Sequence, residues 1–155
     1  MLIRNGLILL VSLIFVLGIS SCKKDDEVDQ EVIDQELIMQ YIADNNLDAT
    51  EGDYGLYYVI SEPGDDHYPN YYSLVVANYT GYLLNGNVFD DGSVQLEAYL
   101  GDLVGGFQLG LPKIGEGGKI KLIIPSHLGY AGIEKVNIPE YSVLIFDVHL
   151  LQVYD

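Results

Sequence analysis

The sequence predicts an α+β fold: an antiparallel sheet wrapped around one short helix, with a further helix ahead of the sheet. Three observations carry this expectation. Apolar residues recur at helical spacing within "DQEVIDQELIMQYIADNN", the period of an amphipathic helix. From Gly55 onward, short apolar or alternating runs are separated by Gly, Pro, Asn and Asp clusters, the pattern of strands and turns. Between those runs, "GGFQLGLPKIGEGG", bracketed by Gly105-Gly106 and Gly115 to Gly118, is the only segment of that half with room for a short helix. Strands gathered around such a helix make an α+β domain.

Taken in order, residues 1–21 combine a basic Arg4, an apolar run and small residues ahead of Cys22, which reads as a secretory signal. The ending Ile19-Ser20-Ser21-Cys22 resembles a bacterial lipobox, where the signal is cleaved before a cysteine that is then lipidated. An uncleaved anchor or a plain signal with an incidental cysteine is the alternative. Residues 22–30 are polar and charged, too poor in apolar side chains to fold alone. Their "KKDDE" is either a solvated tether or an acidic tag like those of surface-displayed lipoproteins. Residues 31–54 hold the amphipathic helix, with Ile33, Leu37, Ile38, Tyr41 and Ile42 as its apolar stripe and Asn45-Asn46 as its stop. That helix could dimerise, pack on the following domain or space it from a membrane. Residues 55–155 form the domain itself. Its strands are "GLYYVIS", "YYSLVVANYTGYLL", "NVFDD" after an Asn85-Gly86 turn, "VQLEAYLG", "GKIKLIIP" and "SVLIFDVHLLQV". The last alternates most clearly, with Phe146, Val148 and Leu150 on one face and Asp147, His149 and Leu151 on the other.

Composition narrows the function. The net charge is −16 and only six Lys follow Arg4, so the basic face that nucleic acid requires is lacking. Acidity of this size keeps an exported protein soluble. Cys22 is the one cysteine, which excludes an intramolecular disulfide and a cysteine zinc site. His67, His127 and His149 lack the i,i+4 partner of a helical metal site, so no metal and no cofactor is expected. Lys119 after Gly117-Gly118 fails the phosphate-loop pattern, because Lys113 and Ile120 stand where Gly and Ser or Thr are needed. Ser126-His127 lacks the G-x-S-x-G elbow of a hydrolase. The acids Asp48, Glu51, Asp53, Asp65 and Asp66 lack calcium-loop spacing and read as solvated turns. What remains is a set without a nucleophile: Tyr79, Phe89, Phe107, Tyr130 and Phe146, with Val104, Ile138 and the charged Asp90. Taken one by one, a hydrophobic core explains most of them.

Their order says more. "VVANYTGYLLNGNVFDD", then "GGFQLGLPKIGEGGKIKLIIPSHLGY", then "IPEYSVLIFDVHLLQV" resembles the FKBP-type peptidyl-prolyl isomerases, from about Tyr72 to Tyr154. The resemblance implies an FKBP-like sheet around its helix and an apolar pocket for proline-containing polypeptides. It implies Tyr79, Phe89 and Asp90 as one wall and Phe146 as the far wall. Tyr130 would be a hydroxyl donor, with Val104 and Phe107 as floor and Ile138 beside the substrate backbone. Leu96 stands where the family has an aromatic residue. Tyr79, Phe89, Asp90, Tyr130 and Phe146 are thus the candidate catalytic residues, and Val104, Phe107, Ile138 and Leu96 the candidate substrate contacts. The family's usual tryptophan is Phe107 here, "GDLVGGF" is shorter than its counterpart, and "GYA" replaces a common Ala-Tyr-Gly. The "YIADNN" helix and "GLYYVIS" strand resemble the N-terminal extension of lipoprotein members. Together with Cys22, this implies an isomerase held at the bacterial cell envelope, on the periplasmic or surface face of the outer membrane. A weak or inactive FKBP-like lipoprotein that binds a peptide is the alternative.

Overall fold

A computed structural model describes residues 29–155; the signal segment and Cys22 lie outside the described residues. Helix α1 (Gln30–Asp44) starts where the Asp29 carboxylate accepts the Glu31 N–H at 3.1 Å, satisfying one of the donors a first turn leaves unpaired. It stops at Asn45, and Asn46 takes φ 50°, a left-handed conformation that asparagine tolerates. The strands are β1 (Thr50–Glu51), β2 (Tyr57–Glu62), β3 (Leu74–Leu83), β4 (Val88–Asp90), β5 (Leu96–Tyr99), β6 (Lys119–Ile124) and β7 (Leu144–Tyr154), with α2 (Gly105–Gly110) between β5 and β6. Strand β1 is too short to carry a period and has no signature in the sequence.

Every strand pairing is antiparallel, in the order β1-β2-β6-β7-β3-β4. Strand β5 shares the outer edge of β3 with β4, opposite Leu74–Ala77, while β4 takes Gly81 and Tyr82. Strand β3 is therefore paired along its whole length with β7 and at both ends, but not in the middle, on its other side. A bulge sets Gln152 opposite Val76 and Leu150 opposite Ala77. It leaves Leu151 over and brings Val153, rather than Gln152, to the buried face.

One face of the sheet curls around α2. Leu122, Ile124, Leu144, Phe146 and Val148 meet Phe107, Leu111 and Ile114 in one buried cluster. The helix lies close because Gly106 has no side chain; a Cβ there would stand 2.4 Å from Ile124. The opposite face changes character along β6. Lys119 and Lys121 are partly exposed on it, but Ile123 is fully buried, because α1 covers that end. Ile38 packs there with Tyr57, Ile123, Val143 and Ile145, and its complete burial contributes about 1.5–3 kcal/mol. The helix is rotated from its expected stripe. Leu37 lies on the flank, 40% exposed, and Asp34 takes a buried place at 1%.

Candidate functional site

Register assembles the site. Tyr79 pairs with Val148, and Gly81 pairs with both Phe146 on β7 and Asp90 on β4. Side chains alternate across a strand, so Tyr79, Gly81 and Phe146 share the face that looks towards α2. The Asn85-Gly86 turn, with Gly86 at φ 85° and the Gly86 N–H donating to the Leu83 carbonyl at 2.8 Å, folds Phe89 and Asp90 back beside them. Gly81 leaves the space in which the rings meet, since a Cβ there would lie 2.5 Å from Phe89 and 2.8 Å from Phe146.

Phe146 is the hub of the aromatic box. Its ring centroid lies 4.8 Å from Phe107 at 82°, 5.5 Å from Phe89 at 81° and 6.0 Å from Tyr79 at 55°. These are the edge-on and tilted geometries that ring quadrupoles favour. The box encloses a cavity of about 210 Å³. Tyr79, Phe89, Asp90 and Phe146 line it from the sheet, Val104 and Phe107 from the start of α2, Leu96 from β5, and Tyr130 and Ile138 from the loops after β6. All nine residues singled out in the sequence thus border one cavity. Leu103 lines it as well. A larger, open depression of about 610 Å³ on the opposite face has Lys119, Lys121, Asp147 and His149 on its rim. It lacks the ring walls, and its lysines are ion-paired with Glu62 and Asp147.

Two phenols and a carboxylate supply the polarity of the small cavity. Tyr79 Oη donates to Asp90 Oδ2 at 2.5 Å, and Asp90 Oδ1 accepts the Gly92 N–H at 3.1 Å. Both carboxylate oxygens are occupied, which suits Asp90 to orienting a wall. Burial, and then the hydrogen bond to Asp90, push the Tyr79 hydroxyl far above its ordinary value, so it stays a donor. Tyr130 differs: among the described residues its hydroxyl has no protein partner, while Lys135 Nζ lies 5.5 Å from its ring centroid. The Ile138 N–H and C=O both bond to Lys135, so Ile138 faces the cavity with its apolar side chain while its N–H is already engaged. The Val104 N–H, ahead of the first turn of α2, bonds to no group among the described residues, as expected of a helix start. No group of His, Cys, Asp and Glu among the described residues could hold a metal ion.

Sequence reasoning missed Gly81, Leu103 and the Gly92 N–H. The Gly within "YTGY" is a visible signal for the first; backbone donors have none.

The family model for FKBP-type peptidyl-prolyl cis-trans isomerase matches residues 66–151. The Escherichia coli (strain K12) protein named FKBP-type peptidyl-prolyl cis-trans isomerase FkpA is 40% identical over 102 residues, 64% of this chain and 38% of that one. An FK506-binding protein of Neisseria meningitidis serogroup B is 39% identical over 88 residues, 52% of this chain and 80% of that one. The crystal structure of E. coli FkpA superposes with a TM-score of 0.72 at 34% identity, covering 81% of this chain and 60% of that one. AtFKBP13 superposes with a TM-score of 0.61 at 28% identity, over 68% and 98%. The chain thus spans well under half the length of the FkpA sequence it matches. The matched stretch is more than half of this chain and contains every residue bordering the small cavity, and the chain belongs to the FKBP-type peptidyl-prolyl cis-trans isomerase family.

Proposed function

We propose that this protein rotates X-Pro amide bonds of exported polypeptides in the cavity between Tyr79, Phe107, Tyr130 and Phe146. The observation that carries the reading is the pairing of a ring-walled cavity with a phenol, Tyr130, whose hydroxyl has no protein partner among the described residues. Resonance holds the planar amide behind a barrier of about 18–20 kcal/mol, and X-Pro bonds exchange over tens to hundreds of seconds unaided. No covalent bond need break. A water-poor, apolar cavity disfavours the dipolar planar amide relative to the twisted one. A donor such as Tyr130 Oη holds the substrate carbonyl while the amide turns. Each ~1.36 kcal/mol of preference for the twisted form gives about tenfold in rate. Asp90, with both oxygens engaged, holds Tyr79 in the wall and transfers no proton.

The same reading places the chain at the bacterial cell envelope, tethered by a lipid on Cys22, with Tyr79, Phe89, Asp90, Tyr130 and Phe146 as catalytic residues and Val104, Phe107, Ile138 and Leu96 as substrate contacts. Residues 31–54 are then an extension preceding the isomerase domain of residues 55–155. Exchange NMR on a short X-Pro peptide tests it without a coupled protease. Acceleration of cis/trans exchange that fades in Tyr130→Phe is expected. A folded protein that accelerates nothing across several X residues refutes it. Phe107 favours the second reading, a catalytically weak module that binds a peptide, because it provides an apolar floor but no N–H donor.

A further inference from the structure

Asp34 is the buried carboxylate of the described residues, 1% exposed, and no part of the proposed mechanism uses it. Its Oδ2 accepts the Ser126 N–H at 2.7 Å and its Oδ1 accepts Gln30 Nε2 at 2.8 Å. Ser126 opens the turn Ser126–Leu128 that follows β6. Pro125 stands ahead of that turn, and its ring offers no oxygen to cap it. The capping oxygen that a turn or helix start takes from its own sequence comes here from α1, 92 residues away in the chain. The Ser126 carbonyl in turn accepts the Gly129 N–H at 3.0 Å and the Ala131 N–H at 2.8 Å, one on each side of Tyr130.

We propose that Asp34 is a positioning residue for Tyr130, coupling α1 to the isomerase cavity through the backbone of Ser126. The proposal rests on reading Tyr130 as the hydroxyl donor. Charge has a purpose in this place. Ile38 already anchors the helix through apolar burial, and a buried carboxylate costs stability unless its oxygens are filled. A charge-assisted bond is shorter and stronger than a neutral one, so it holds the N–H side of Ser126, the residue whose carbonyl, in the next peptide unit, carries the Tyr130 loop. Asp34 also lies ahead of residues 66–151, the stretch the family model matches. The coupling is thus carried by this chain's extension.

The test is made on the full chain in detergent micelles, by exchange NMR on an X-Pro peptide and by the amide resonances of Gly129, Tyr130 and Ala131. Asp34→Ala is expected to lower kcat about tenfold, the equivalent of one charge-assisted hydrogen bond, with KM changed less than about twofold. Asp34→Asn is expected to recover only part of the rate, since a carboxamide oxygen accepts the same N–H, with Gln30 turning its amide to match, but without the charge. In a Tyr130→Phe background, Asp34→Ala is expected to cost less than about twofold. An equal loss in both backgrounds overturns the proposal, as do unmoved Gly129 to Ala131 amides in Asp34→Ala. Should Asp34→Ala fail to fold, Asp34→Ser, whose hydroxyl is too short to reach the Ser126 N–H, replaces it. If the unmodified chain accelerates no exchange, the isomerase reading fails. The coupling is then decided by the amides alone: displaced resonances support it and unmoved ones overturn it.

Discussion

Adding one methyl group at Gly81 should damage the cavity more than it damages the fold. Gly81 has no positive φ, so alanine suits its backbone and the whole effect is steric. The new Cβ would sit 2.5 Å from the Phe89 ring and 2.8 Å from Phe146, and ordinary contact begins near 3.4 Å. The Phe89 ring must therefore withdraw by about 0.9 Å and Phe146 by somewhat less. Phe146 is held on its other side by Phe107 at 4.8 Å, which leaves Phe89 to move into the cavity of about 210 Å³. Overpacking of this kind costs about 1–3 kcal/mol, which lowers Tm by several degrees in a domain of this size. Catalysis should fall by more than tenfold, because the volume lost is the volume the prolyl ring needs. Urea denaturation and exchange NMR on the same sample measure both effects. Gly81→Ala/Phe89→Leu should regain stability and part of the rate, since the smaller side chain yields the space. Stability and turnover both unchanged in Gly81→Ala would refute the argument, and so would a double variant no better than the single one.

Asp90→Ala should leave the fold intact and lower isomerase turnover about tenfold, because Tyr79 loses the charged acceptor that fixes its hydroxyl; unchanged turnover with a folded spectrum counts against Asp90 as part of the wall. Stability should decline in alkali. Burial is the largest cause that pushes Tyr41 and Tyr82 from 10.0 up to about 12, so folding favours the protonated phenols. Their stabilising contribution is complete below pH 10.0 and is lost as pH rises through about 12; a urea midpoint that stays level across that window would oppose this. Cys22→Ala should move the protein from the membrane fraction to the soluble one, and continued co-sedimentation would point to a different anchor.

Much of the fold was legible because strands report their faces locally. Ile120, Leu122 and Ile124 alternate with Lys119 and Lys121 in "KIKLII", and the buried set is the alternating set. Ile123 breaks the pattern, since its burial depends on a helix some 80 residues earlier in the chain. The bulge that frees Leu151 has no local signal either, because it is defined by what the neighbouring strand does. The cavity was legible through the order of its blocks rather than through any one residue. Asp34 was not. Among Glu31, Gln35 and Glu36 it looks like any solvated acid, and only the Ser126 N–H, reached through space, makes it a buried one.

The pairing of Gly81 with Phe146 joins residues 65 positions apart, and the cavity exists only once that ladder has closed. Folding rates fall as contacts become more distant along the chain, because loop entropy is lost before the contact rewards it. Helix α1, whose bonds are local, forms on a microsecond scale, whereas a sheet of this topology closes over milliseconds to seconds. During that interval Phe89, Phe107 and Phe146 are exposed together. The rings that later wall the cavity are therefore, until the ladder closes, an exposed apolar cluster of the kind that invites aggregation.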